Sequence, residues 1–384
     1  MLHRTLAKQP DVLIVGGGPA GLACAIASAR QGLHVEVIDA RKPLLDKACG
    51  EGLLPGALES LSALGFDPKN DLDPTESALL HGIRFIGDSS SNHYTTIQCA
   101  FPASPGRGIR RTALHQLLLE RAISLGVRFH WENTLRSLST ANNIAVVTTN
   151  CQTFRARYLI GADGLHSRVA AFAGLDRGTV HSRRIGLRQH YAIAPWSRFV
   201  EIYWSNHGQA YVTPVSSSEV CIAFVAREKP ASPSQALNHF PALQRHLATA
   251  HPNDAPLGSI TLGRTLPCVT SGNIALIGDA SGSVDAITGE GIALALRQAA
   301  ALALALKAND LAVYQQAHRR ILRRPTIMSR SLLLMDRSPA LRDYALNIFQ
   351  RSPRLLERLL QIHIGHSTPF FFGAKGLLEP DYTG

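Results

Sequence analysis

Paired cysteines are absent from this chain: Cys24, Cys49, Cys99, Cys151, Cys221 and Cys268 lie far apart, and no Cys-x-x-Cys occurs. That spacing excludes a zinc knuckle, a redox dithiol and a secreted disulfide framework, and it suits a reducing cytoplasm. No metal is expected. Long apolar runs are scarce too. The longest, residues 291–308, is broken by Arg297, Gln298 and Lys307 and reads as a buried helix instead of a membrane span. Met1 to Pro10, ahead of the first apolar strand, lack the apolar stretch of a signal peptide. Acid is the third shortage, with 28 Asp and Glu against 39 Lys and Arg and a formal net charge of +11. Such a balance admits nucleic acid, a membrane surface or the phosphates of a dinucleotide as anionic partner. Residues 319–358 hold ten arginines against Asp336, Asp343 and Glu357, interleaved with Leu and Ile; a solvated helical face shows the same pattern.

What is present is a chain of 384 residues, 45% hydrophobic, enough at about 150 residues per domain for two or three lobes. Residues 11–15 read as a buried strand, 20–30 as an alanine-rich helix and 34–38 as a second strand, giving β-α-β. A helix over 111–125 and a short buried strand over 158–162 follow. Residues 77–86 and 93–99 read as a hairpin turning at 88–91. From 181 to 227 alternating β-branched and aromatic residues form four runs, 184–193, 199–204, 209–215 and 220–226, read as a meandering antiparallel sheet. A parallel-type strand over 273–277 and a helix over 291–307 return to the first lobe. The expected fold class is therefore α/β with an added antiparallel sheet. A discontinuous Rossmann-type dinucleotide domain (1–76, 100–178 and 266–310) carries an inserted substrate-binding sheet domain (77–99 and 179–265), and a helical region (311–384) closes the chain.

The chemistry begins with Gly16-x-Gly18-x-x-Gly21, which follows a strand and opens a helix, with Asp39 ending the next strand. Gly16 permits the tight turn, Gly18 lets the backbone approach a pyrophosphate, and Gly21 lets helix and strand pack closely. Pro19 and Ala20 complete the helix N-terminus that meets the phosphates. Asp39, followed by Ala40 and Arg41, is placed to accept from ribose hydroxyls. FAD and NAD share this fingerprint, and it occurs once, so a nicotinamide has no domain of its own.

Two later segments resemble the secondary signatures of single-dinucleotide-fold flavoproteins, the superfamily of aromatic hydroxylases, flavin halogenases and geranylgeranyl reductases. They are Ile160-Gly-Ala-Asp163-Gly164-Leu-His-Ser-Arg168 and Gly278-Asp279 through Gly289-Glu290-Gly291. The resemblance spans most of residues 11–310 and implies FAD as cofactor, in a Rossmann domain of the GR2-like type. By the same resemblance Asp279 binds the ribityl chain, Gly289 to Gly291 lie along the isoalloxazine, Asp163 holds the pyrophosphate region, and Arg111 contacts FAD. The helix opening at Gly291 and Ile292 would aim its amides at the flavin edge that turns anionic on reduction. Lys47-Ala-Cys49-Gly50-Glu51-Gly52 resembles a segment that geranylgeranyl reductases place over the flavin. Cys49 is then either functional or a small packing residue.

On the inserted sheet Arg188 and His190, two apart, share a face, as do Glu201 and Tyr203 on the following strand. Over a flavin, Arg188 would hold an anionic group and His190 would move a proton; a half-exposed sheet alternates in the same way. The first expectation is a monooxygenase that hydroxylates a small aromatic or lipid-like substrate with O2 and transient NAD(P)H. The alternative is a reductase giving hydride to an isoprenoid double bond, which the Cys49-Gly-Glu-Gly run favours. A third reading is an FAD-containing redox sensor without turnover. Halogenation is disfavoured because Trp131, Trp196 and Trp204 are isolated. His363-Ile-Gly-His366 and Ile327-Met-Ser-Arg-Ser331 echo aminoacyl-tRNA synthetase signatures in reversed order and are chance, so no nucleic-acid partner is expected. The basic C-terminal helices and the Pro369-Phe-Phe-Phe372 segment suggest peripheral contact with an anionic bilayer instead.

Overall fold

Five short strands rich in Val, Ile and Leu pair in parallel in the order 274–276, 158–161, 12–15, 35–38, 128–130, and Thr270–Ser271 adds an antiparallel edge. This is a computed structural model, which describes residues 9–88, 94–228, 230 and 232–364. The expected turn beyond Asp88, His366 and the Pro369–Phe372 segment fall outside the described residues. All four residues of Val12–Val15 are buried, as a strand covered on both faces requires. The covering helices are Pro19–Arg30, whose small Gly and Ala residues allow close approach, and Gly291–Ala308, which packs against it. By length and composition Gly291–Ala308 could cross a membrane, yet more than half of it is buried inside the protein.

A large second sheet runs in the order 251–252, 179–192, 219–226, 208–214, 199–205, 82–88, 94–100, and Leu257–Thr265 also pairs with Thr179–Ala192. Three of the four expected runs do meander. The first does not: Thr179–Ala192 pairs with Glu219–Ala226, so Arg188 faces Ala223 across the ladder while Glu201 lies two strands further on. The cause is that Gly82–Asp88 takes the free edge of Phe199–Ser205, in parallel register with Phe199 opposite Gly82. Alternation reports which face a residue occupies and not which strand lies beside it.

The expected strand over 77–86 is also two strands. Ser77–Leu80 joins Gly52–Leu53 and Gly106–Ile109 in a small sheet, whereas Gly82–Asp88 enters the large one. His81 between them donates to the Arg198 carbonyl and accepts from the Phe101 amide, which sets the break. A fourth sheet, Leu135–Ala141, Ile144–Thr149 and Thr153–Ala156, had no counterpart in the sequence reading.

Three helices, Leu311–Arg337, Pro339–Arg351 and Pro353–Ile364, close the described chain. Leu346, Leu356 and Leu360 pack on Ile83, Ile97, Val200 and Ile202 of the large sheet. The anchor is polar. Asp336, 2% exposed, accepts from Arg184, Gln209, Trp204 and Arg227. Arg342 is equally buried and donates to the Ser205 carbonyl and to Asn206, so the arginine-rich face is only partly solvated.

Candidate active site

Between the parallel sheet, the large sheet and the C-terminal helices lies a cavity of about 2090 Å³. That exceeds the roughly 300–1,000 Å³ of a site for one small ligand, and it leaves room for a dinucleotide and a second molecule. Most of the residues singled out from the sequence meet on its wall. Gly16, Gly18, Pro19 and Ala20 line one end together with Asp39, Ala40 and Arg41. Arg111, Asp163 and Gly164 stand beside them, then Lys47, Cys49 and Gly50, then Gly278 and Asp279, and finally Gly289, Gly291 and Ile292, with Arg188 on the sheet side. Gly21, Glu290 and His190 are not on this wall.

The dinucleotide end is built from backbone. Gly16 adopts φ +113°, and a Cβ there would stand 2.3 Å from the Ala162 carbonyl oxygen. At Gly21 a Cβ would lie 1.8 Å from the Gly16 oxygen, so Gly21 shapes the turn from behind. Asp39 accepts from the amides of Gly17 and Arg41, both at 2.8 Å, which ties the end of the second strand to the glycine turn. His115 fixes the same turn through the Gly17 carbonyl at 2.9 Å. The half-buried carboxylate of Asp163 accepts from Ser167 Oγ at 2.5 Å and from the amides of Arg168 and Val169. It thus starts the next helix as well as facing the cavity; burial pushes its pKa up.

Three features of this end call for a ligand. Helices Pro19–Arg30 and Gly291–Ala308 carry no side-chain cap among the described residues, leaving N-terminal amides free toward the cavity. Side chains added at Gly18, Gly50 or Gly291 would meet only open space. The Arg111 Nε is buried without a hydrogen-bond partner among the described residues. Lys47 and Asp279 form a half-exposed ion pair at 3.0 Å. Cationic, amide and carboxylate groups in this order suit the phosphates, riboses and ribityl chain of FAD.

Behind the Lys47–Gly52 loop the wall is a buried polar cluster. His190 Nε2 is 2.6 Å from Glu51 Oε2, and His190 Nδ1 is 2.6 Å from Asp254 Oδ2 and 2.6 Å from Arg188 Nη1. Arg188 also donates to Asp254 at 3.0 Å and to Asp46 at 2.7 Å. Burial opposes charge on His190, but Glu51 and Asp254 outweigh it and hold the imidazole above its ordinary pKa. Burial likewise opposes ionisation of Asp254, yet bonds from His190 and the charge of Arg188 hold it below the usual carboxylate range. Glu51, His190 and Cys221 place ligand-type atoms within 4.8 Å of one another. Both ring nitrogens already face carboxylates, however, and Arg188 Nη1, 3.3 Å from His190 Nε2 and 4.0 Å from Glu51 Oε1, sets a positive charge against any cation there. Cys49, half-buried, accepts weakly from the Glu51 amide at 3.4 Å, and Cys221 donates to its carbonyl.

Several site residues escaped the sequence reading. Glu51, at φ +59°, accepts from the Arg111 amide at 3.0 Å and so clamps loop, helix and sheet together; its signal was the Cys-Gly-Glu-Gly run that contains it. Asp285 lines the cavity 1% exposed, with Oδ2 unpartnered among the described residues and Arg184 at 3.6 Å. Asp254 lies in a loop with no motif. Glu290, by contrast, was singled out from the sequence; it is buried behind the wall, which raises its pKa, and lies 3.4 Å from His363.

Fold and cradle together define a Rossmann-type flavoprotein, in which a parallel dinucleotide-binding domain faces an antiparallel sheet. A model of the FAD binding domain family matches residues 9–324, and the chain belongs to that family. It is an FAD-dependent oxidoreductase. It is 28% identical to a menaquinone reductase of Mycolicibacterium smegmatis, over 74% of this chain and 73% of that one. A digeranylgeranylglycerophospholipid reductase of Methanothermobacter thermautotrophicus is 25% identical over 75% and 74%. An FAD-dependent monooxygenase of Aspergillus terreus reaches 33%, but over 44% of this chain and 25% of its own length. Among solved structures, a flavoprotein/dehydrogenase from Cytophaga hutchinsonii has a TM-score of 0.78 at 18% identity, covering 94% and 93%. A flavin-dependent brominase has 0.77 at 19%, covering 93% and 96%.

Proposed function

We propose that the protein is a reductase that saturates a carbon–carbon double bond of a long isoprenoid or similarly lipid-like substrate, with NAD(P)H as transient reductant of its FAD. The observation that carries this reading is the apolar half of the cavity. Beyond the dinucleotide end its wall is Ile83, Phe85, Val200 and Ile202 of the sheet facing Leu346, Phe349, Leu356 and Leu360 of the last helices. Such a wall excludes water and binds an extended hydrocarbon by area alone. Two relatives matched over three quarters of their length are named as reductases of menaquinone and of a geranylgeranyl lipid, which supports it further.

The amides at Gly16 to Ala20 would hold the FAD pyrophosphate, Asp39 a ribose, Asp279 the ribityl chain, and the amides opening at Gly291 the edge of the ring. When bound, FAD supplies the hydride. The surrounding residues orient the double bond, keep water out and deliver the matching proton. Hydroxylation under air is the second reading, supported by the monooxygenase match. Holoenzyme given NADPH and geranylgeraniol separates the two by product mass. A gain of two hydrogens under both argon and air supports reduction, and a gain of one oxygen that needs air overturns it in favour of hydroxylation.

We further infer that substrate enters from an anionic bilayer in contact with the C-terminal helices. Ile327, Leu334 and Tyr344 are 55%, 58% and 66% exposed, among the exposed arginines Arg330, Arg337 and Arg351. Ile327 also lines the cavity. Apolar side chains framed by arginine suit an interfacial helix. Co-sedimentation with liposomes that increases with anionic lipid and weakens with salt is expected; binding indifferent to both would refute the contact. The six unpaired cysteines suit a cytoplasmic location.

A further inference from the structure

Addition of hydride to a double bond leaves one carbon in need of a proton, and the Ile, Val, Leu and Phe side chains of the apolar wall have none to give. We propose that Asp254, His190 and Glu51 form a proton relay in the wall of the large sheet, in which the His190 imidazolium, held by Asp254, passes its Nε2 proton through Glu51 to the cavity. The inference rests on the reductase reading for its role and on geometry for its existence.

The three groups form a continuous line. The Asp254 side chain is 24% exposed, His190 and Glu51 are each 1% exposed, and both links are 2.6 Å. Glu51 contributes to the cavity wall. A carrier must be satisfied with and without its proton, because an unpaired buried nitrogen would trap one form. His190 meets that condition. Nδ1 donates to Asp254 Oδ2 both in the imidazolium and in the neutral ring that has given up its Nε2 proton. Nε2 keeps Glu51 as partner in both states. Arg188 can donate to Asp254 and Asp46 throughout, so its charge stays paired whichever way the imidazole stands.

One turnover balances as follows. The π bond of the substrate breaks and two C–H bonds form, one from the hydride with its electron pair and one from a proton leaving the Glu51 carboxyl. Glu51 takes that proton from the Nε2 of the His190 imidazolium, which is left neutral with its Nδ1 proton still donated to Asp254, and Nε2 regains a proton through Glu51 from water admitted when the product leaves. Each wall group ends in the charge state in which it began. The charged and titratable groups packed around the ring are Glu51, Asp46 and Cys49 from the loop, Arg188 on its own strand, Cys221 and Glu219 from the adjacent strand, Asp254, and Arg110 paired to Glu219. The carboxylates among them outweigh the guanidinium at the ring itself and keep the imidazole protonated above its ordinary range.

Two measurements on FAD-loaded protein test this. In ¹⁵N NMR titration, His190 is expected to titrate above the free value of about 6.5 and to fall in Asp254→Asn. In anaerobic stopped flow, prereduced holoenzyme is mixed with geranylgeraniol and flavin reoxidation followed against pH. His190→Gln and Asp254→Asn are expected to slow it by about 100-fold or more with FAD affinity unchanged, and free imidazole to restore part of the rate in His190→Ala. A merely structural role would disturb FAD affinity and give no rescue. An ordinary His190 titration untouched by Asp254→Asn, or variants that keep the wild-type rate and pH profile, overturns the relay. If wild-type reduced flavin ignores geranylgeraniol, the substrate reading fails, and the NMR titration still decides the relay.

Discussion

Removing the Asp336 carboxylate should loosen the C-terminal helices from the large sheet, and the structure sets the size of the effect. Asp336 is the shared acceptor of Arg184, Gln209, Trp204 and Arg227. In Asp336→Ala the Arg184 guanidinium, 2% exposed, loses its nearest counter-charge. Breaking one side of a buried ion pair costs about 3–5 kcal/mol. Arg184 keeps Gln209 at 2.8 Å and Asp285 at 3.6 Å, which places the expected loss near the lower end, about 3 kcal/mol or roughly a hundredfold in the equilibrium. At roughly 2 °C per kcal/mol, Tm should fall by roughly 6 °C, and limited proteolysis should cut faster after the exposed arginines of 319–358. Replacing the pair outright, Arg184→Met with Asp336→Leu, should recover most of the loss because no charge is then left buried. A loss under about 1 kcal/mol, or a double variant no better than the single one, would refute the view that this cluster anchors the helices.

Three further outcomes follow from the cradle and the core. Gly21→Ala favours the helix by up to about 1 kcal/mol but puts a Cβ 1.8 Å from the Gly16 oxygen; FAD affinity by fluorescence titration should fall about tenfold or more, and an unchanged affinity would count against the turn. His318 is held neutral by burial, its pKa pushed down to about 4 while Ser281 Oγ lies at 2.9 Å. The unfolded chain therefore binds the extra proton, so this group's contribution is complete above about pH 6.5 and is lost as pH falls toward 4. His318→Gln should gain on wild type across that window by about 3 kcal/mol in urea unfolding, and parallel pH curves would refute it. Thiol labelling should be fast at exposed Cys151 and Cys268 and negligible at Cys24 and Cys99, whose pKa values burial raises to about 12 and about 11; Cys49 on the cavity wall should be labelled only after FAD is removed, as peptide mass mapping would show.

The glycine-rich end of the cavity was legible because its geometry is local. Gly16, Gly18 and Gly21 are close in sequence and space, and Asp39 follows one helix and one strand later, so spacing alone carries the geometry. The buried strands over 12–15 and 158–161 likewise announced themselves by unbroken apolar runs. The order of the large sheet was not legible, since period-2 alternation is the same whichever neighbour a strand chooses. That is why Arg188 was set beside Glu201, which instead pairs with Arg84 through Oε1 at 2.7 Å.

The substrate side resisted for a sharper reason. Arg188 and His190 shared a face as alternation requires, but what gives them a chemistry is Glu51 on a loop 139 residues earlier and Asp254 on another 64 residues later. Neither partner sits in a periodic segment, and a lone carboxylate in a loop has no signature to distinguish it from a turn residue. The arginine-rich tail shows the same limit from the opposite side. Its composition suggested one solvated face, yet Arg342 is buried, the acid Asp336 serves as anchor, and Leu346, Leu356 and Leu360 form the cavity wall. Composition counts charges without saying which are spent holding the helices down. The residues left exposed at Ile327, Leu334 and Tyr344 are the ones free to meet a lipid surface, so the membrane reading rests on this remainder and not on the net charge.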